Sequence, residues 1–281
     1  MTAPAQLGPP AAPSAARSSA QALDAARAQG RAALVGYLPV GFPDLETSVA
    51  AVAAMVEAGV DVVELGMPYS DPLMDGPVIQ HAVEAALTGG IRTRDVLGAV
   101  PEIAATGAPV LLMIYWNLVD RYGVERFAAD LAAAGGAGLI TPDLIPDEAA
   151  QWIVASDAHD LDRVFLVAPS STPARLRSTA AACRGWVYAT STMGVTGERA
   201  RIGEHAEQLV ARTREAGAER VCVGIGVSTG AQAAQVAAYA DGVIVGTAFV
   251  RALGTGGVGA VRDLAAELAD GVRAGRPGVA S

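Results

Sequence analysis

The residue best placed for proton chemistry is a glutamate inside an apolar run. In Val60–Gly66 a strand alternates its side chains, so Val62 and Glu64 share one face while Val63 and Leu65 share the other. If that first face lines an interior, Glu64 loses hydration there, its pKa rises, and it can exchange a proton near neutral pH as a general acid or base. The plainer reading is a structural ion pair. It is the weaker one, because no basic residue follows Glu64 until Arg92. Behind Glu64 runs Met67–Pro77, a loop with two carboxylates, Asp71 and Asp75, set among three prolines. Proline removes backbone donors and restricts its neighbours, so such a loop is preset as well as polar. Either aspartate could instead cap the helix expected from Val78; a substrate contact is the favoured role for Asp75, and a cap or hinge is as good a reading for Asp71.

Glycine marks the other reactive region, in Gly194–Gly197, Gly224–Ser228 and Gly246-Thr247. Each exposes backbone N–H groups, and the last two lead into helix N-termini, where free amides and the helix dipole favour an anion. Plain turn chemistry competes at any one of these glycines. His81, His159 and His205 fall on expected helices, and no metal site is expected.

These residues need a frame. Val/Ile/Leu runs recur at Ala32–Leu38, Val60–Gly66, Pro109–Tyr115, Gly138–Thr141, Arg163–Val167, Gly185–Thr190, Arg220–Gly224 and Gly242–Val245, with Ala-rich amphipathic stretches between them. Eight strands alternating with helices predict an α/β fold, a single (β/α)8 TIM barrel, with two further helices after the last strand. A doubly wound open sheet is the rival, disfavoured by the even unit length and the lack of an early Gly-x-Gly-x-x-Gly turn. In such a barrel the active site lies at the C-terminal ends of the strands, where Glu64, Asp75 and the glycine loops all fall.

Composition narrows the functions. The 281 residues are 52% hydrophobic but only 5% aromatic, which calls for close Ala, Val, Leu and Gly packing. A net charge of -9 argues against nucleic acid or an anionic membrane as partner. No run approaches a membrane span of about 20 apolar residues. The two cysteines, Cys183 and Cys222, lack metal-ligand spacing, and a reducing cytoplasm is expected. Residues 1–19, rich in Ala, Pro and Ser, are expected to be a disordered tail, and residues 20–281 the catalytic barrel domain.

Taken together, Glu64-Leu-Gly-Met-Pro-Tyr-Ser-Asp-Pro-Leu-Met-Asp-Gly-Pro77, Gly194-Val-Thr-Gly197 and Gly224-Ile-Gly-Val-Ser228 resemble the tryptophan synthase alpha subunit family. The similarity runs in order from about Leu34 to Val250 and includes Tyr122–Phe127, Pro142–Leu144 and Asp241–Gly246. The resemblance implies cleavage of indole-3-glycerol phosphate to indole and glyceraldehyde 3-phosphate. Glu64 would be the acid/base, Asp75 the carboxylate on the indole N–H, and Tyr188 their neighbour; a core tyrosine is the other reading of Tyr188. The amides of Gly197, Gly226, Gly246 and Thr247 would hold the phosphate, and Tyr37, Leu112, Ile140 and Ile225 would wall the ring. Asp71 and Thr196 match loops that close over the site.

The resemblance further implies that indole passes to a beta subunit in an alpha2beta2 heterotetramer for tryptophan biosynthesis. No cofactor is implied for this chain, pyridoxal phosphate belonging to the partner. A stand-alone lyase that releases free indole is the alternative. Pro39, Ile145 and Thr247 depart from the commonest family pattern, the first two near loops used for closure or docking.

Overall fold

The computed structural model describes residues 18–190 and 199–275, with side chains from 204 onward in the second stretch. The strands are β1 (Ala33–Pro39), β2 (Val62–Gly66), β3 (Val110–Met113), β4 (Gly138–Ile140), β5 (Asp162–Val164), β6 (Leu166–Val167), β7 (Val187–Thr190), β8 (Val221–Gly224) and β9 (Gly242–Val245). The helices before β4 are α1 (Ser19–Ala28), α2 (Leu45–Glu57), α3 (Pro77–Thr88), α4 (Thr93–Ala104), α5 (Trp116–Tyr122) and α6 (Val124–Ala133). After it come α7 (Ala150–Ala158), α8 (Pro173–Ala182), α9 (Arg199–Glu215), α10 (Gly230–Ala237) and α11 (Thr247–Gly275). Left-handed backbone at Gly257 breaks α11, so two helical pieces follow the last strand, as expected.

The strands pair in the order β5-β4-β3-β2-β1-β9-β8-β7-β6, every pair parallel. The outermost two, β5 and β6, are consecutive in the chain with Phe165 between them, so one broken strand joins both edges and the sheet is a nearly closed barrel. Eight strand positions result, the fifth split in two. Near closure leaves little open edge to template association.

Alternation along these short strands sorts the core into two layers. Ala33, Val35, Val62, Leu111, Ile140, Val164, Trp186, Cys222 and Ile244 fill the barrel. Leu34, Val63, Leu65, Leu112, Leu139, Val223 and Val243, their neighbours in sequence, pack outward against the helices. Helix starts follow local chemistry: Asp44, Thr172 and Thr229 cap α2, α8 and α10 with side-chain oxygens, and Pro77 opens α3.

The amphipathic rhythm did not reveal α1 or α5. Helix α1 begins at Ser19, one residue inside the segment expected to be tail, and plugs the N-terminal end of the barrel with Leu23 and Ala26. Its entry is fixed by Asp162 at the start of β5, which accepts the Ser19 amide at 2.8 Å and the Ser19 hydroxyl at 2.6 Å. Arg27 reaches Asp241 at 3.1 Å and Arg220 reaches Asp24 at 2.7 Å, so the plug is also tied to the starts of β8 and β9. No helix among the described residues is long and apolar enough to cross a membrane.

Candidate active site

At the opposite end, the C-terminal ends of the strands, β2 carries Glu64 where alternation places it, facing the interior. Its register partners are Tyr37 on β1 and Leu111 on β3. The residue is 1% exposed, and its Oε2 has no hydrogen-bond partner. Burial, reinforced by the nearby charge of Asp75, pushes the carboxyl from its ordinary 4.5 up to about 8. A buried polar atom left unpaired costs free energy, and an acid held protonated near neutral pH is suited to deliver its proton to a ligand.

Asp75 sits half-buried in the loop between β2 and α3, and burial raises its carboxyl as well. Neither it nor Asp71 caps α3, because the N-cap is Gly76 and no side chain accepts there. Asp75 is therefore free of the structural duty that competed with a ligand contact. Its carbonyl is held by the Gln80 amide at 2.8 Å. Asp71 lies exposed and accepts the Ser70 hydroxyl at 2.6 Å.

Tyr37 reports where these groups meet. Burial pushes its hydroxyl well above the ordinary value, and Asp75, Glu64, Tyr115 and Tyr188 all push the same way, which gathers five side chains at one mouth. Glycine makes room for the rings. A Cβ on Gly66 would lie 2.4 Å from the Tyr37 hydroxyl, and one on Gly224 would lie 2.6 Å from that of Tyr188. Tyr188 stacks on Trp186 at 5.4 Å, and its hydroxyl is raised by burial first and then by Glu64.

Across the mouth, Gly246 follows β9 and Thr247 opens α11, both half-exposed, with the free amides of a helix start. Gly226 is exposed and holds a φ of +77°, which permits the tight turn after β8. Ile225 is half-buried beside it. Thr196 and Gly197 lie outside the described residues.

One expected wall residue is misplaced. Leu112 pairs with Leu65 and faces outward into the helix layer, fully buried there, so it cannot line a pocket that Glu64 faces. The period of two gives the correction: Leu111 and Met113 share the face of Glu64, and Met113 pairs with Gly66 and Ile140 nearer the mouth. Ile140 belongs to the interior cluster, as a wall residue must. Met113 was overlooked although counting from Glu64 through the parallel register would have found it.

Tyr115, the last residue of the expected Pro109–Tyr115 strand, is a structural hub of the mouth. It is 6% exposed, stacks on Tyr69 at 4.8 Å, and accepts the amides of Leu73 at 3.0 Å and Met74 at 3.2 Å.

Comparison with known proteins gives the family of the chain. A family model described as tryptophan synthase alpha chain matches residues 23–272. The tryptophan synthase alpha chain of Mycobacterium intracellulare is 61% identical over 250 residues, covering 89% of this chain and 92% of the relative. A structure of Mycobacterium tuberculosis tryptophan synthase superposes with a TM-score of 0.86 at 58% identity, covering 92% of this chain and 99% of that one. The alpha subunit from Legionella pneumophila strain Paris superposes with a TM-score of 0.83 at 30% identity, covering 92% and 99%. By the family model and by these identities, the chain belongs to the tryptophan synthase alpha chain family.

Proposed function

We propose that the chain cleaves indole-3-glycerol phosphate into indole and glyceraldehyde 3-phosphate by a retro-aldol reaction and passes the indole to a tryptophan synthase beta chain in an alpha2beta2 complex. The observation that carries this reading is Glu64, dehydrated, unpaired at Oε2 and protonated up to about pH 8. Its proton goes to C3 of the indole ring, and the ring nitrogen takes up the positive charge that results. Asp75, ionised, accepts the indole N–H and stabilises that charge. The Glu64 carboxylate then removes the proton of the side-chain hydroxyl; the carbon–oxygen double bond forms, the bond to C3 breaks, and its electron pair restores the ring. Glu64 ends the cycle protonated as it began.

Binding follows the same division of the mouth. Tyr188 positions Glu64 and the glycerol portion, while Tyr37, Met113, Ile140 and Ile225 wall the ring. The phosphate is held by the amides of Gly226, Gly246 and Thr247 together with Gly197, and Asp71 and Thr196 belong to loops that close over the bound substrate. None of these steps calls for a cofactor on this chain, and pyridoxal phosphate chemistry belongs to the beta chain. The protein works in the cytoplasm, and its catalytic domain takes in α1 from the Ser18 cap onward. Indole release by the purified chain tests the reading: slow turnover alone and acceleration by the beta chain are expected, whereas fast unaided release, or none from this substrate, would overturn it.

A further inference from the structure

The loop that presents Asp75 is held on its α3 side by the Gln80 side-chain amide, which donates to the Asp75 carbonyl at 2.8 Å, and on its β2 side it depends on Tyr115. Between β2 and α3 it forms no helix or strand, and Pro68 and Pro72 have no N–H to donate. Leu73 is 81% exposed and Met74 51%, so side-chain burial does not anchor the residues just before Asp75. The hydrogen bonds that reach these two residues from the barrel body are those of Tyr115, at 3.0 and 3.2 Å. A phenol oxygen accepts through two lone pairs, and here each takes one peptide N–H.

Tyr115 is itself fixed. It lies two residues past β3 as the N-cap of α5, is 6% exposed, and packs its ring on Tyr69 of the Asp75 loop at 4.8 Å. The next residue, Trp116, has its amide bound by Asp143 at 2.9 and 3.1 Å, which ties the start of α5 to the loop after β4. A rigid path therefore runs from the barrel through one hydroxyl to the peptide that precedes Asp75.

We infer that Tyr115 is a positioning residue, whose hydroxyl clamps the Leu73 and Met74 peptides and thereby sets Asp75 against the substrate. This rests on the reading that Asp75 contacts the indole N–H. Without the clamp Asp75 keeps its chemistry but loses its place, and a misplacement of about 1 Å is enough to cost about a hundredfold in rate. Binding through the phosphate amides across the mouth is left intact.

The test is a double-mutant cycle on indole formation by the full chain saturated with beta chain. Tyr115→Phe is expected to lower kcat about tenfold to a hundredfold with KM within about twofold. Its melting temperature stays close to the parent's, because the released amides are in reach of water. In an Asp75→Asn background the same substitution is expected to lower kcat by less than about twofold, since the group it positions is gone. Unchanged kcat in Tyr115→Phe, or an equal loss in both backgrounds, would overturn the inference. Undiminished kcat in Asp75→Asn alone would instead overturn the role of Asp75 itself, and the inference with it. Should Tyr115→Phe fold poorly, amide hydrogen exchange of the parent replaces the cycle: protection at the exposed Leu73 and Met74 is expected, and exchange there at the rate of a free loop would overturn the inference.

Discussion

Replacing Glu64 with Gln should make the protein more stable and less active at once, and the stability gain should grow with pH. The carboxyl is 1% exposed and burial raises it from 4.5 to about 8. In the unfolded chain it ionises near 4.5, whereas in the folded barrel it keeps its proton until about 8. The native state thus holds one more proton across this window, so stability falls as pH rises through it, by about 1.4 kcal/mol per pH unit. A rise from 4.5 to about 8 corresponds to about 5 kcal/mol when the window is fully crossed, an upper figure because water can enter the mouth. Gln fills the same space and cannot ionise. Urea unfolding of the full chain and of Glu64→Gln, run from about pH 5.5 to about pH 8.5, is expected to show the variant's advantage widening by about 3 kcal/mol. A difference that stays constant with pH would refute the claim that burial holds Glu64 neutral.

The same group should set the alkaline limb of activity. Glu64 donates only while protonated, so kcat/KM for indole release should fall tenfold per pH unit above about 8, and a flat profile to pH 9.5 would contradict this. At the opposite end of the barrel, Asp162→Ala removes the acceptor for the Ser19 amide and hydroxyl. Urea unfolding should show a loss of about 1 to 3 kcal/mol, with KM unchanged. Gly224→Ala would place a Cβ 2.6 Å from the Tyr188 hydroxyl. Displacement of that ring should lower kcat/KM at least tenfold while the circular dichroism spectrum stays native, and parental kinetics would show that Tyr188 does not position the reacting groups.

The barrel was legible because strand and helix periods differ and because each apolar run begins at or just after Gly, Pro or a charged residue. Glu64 was legible for the same reason: a period of two assigns its face once the run is read as a strand. Leu112 stood at the wall by resemblance alone; carrying the period of two through the register from β2 to β3 pairs Glu64 with Leu111 and turns Leu112 outward. Helix α1 has a sequence signature in Ser18 and the Leu23/Ala26 spacing, but an Ala-rich neighbourhood masks it. Helix α5 spans 7 residues, and its first amide is bound by Asp143, 27 positions away, so its stability is tertiary. The Tyr115 clamp spans 42 positions and is likewise invisible until the barrel closes.

The most direct trial of Glu64 as the proton donor is single-turnover indole formation by the Glu64→Gln chain in complex with beta chain. Proton transfer by one positioned group contributes on the order of 10²- to 10⁴-fold, so the rate should drop by at least about a hundredfold while an uncleavable indole alkyl phosphate still binds with parental affinity. A rate within tenfold of the parent would show that the proton reaches C3 from elsewhere.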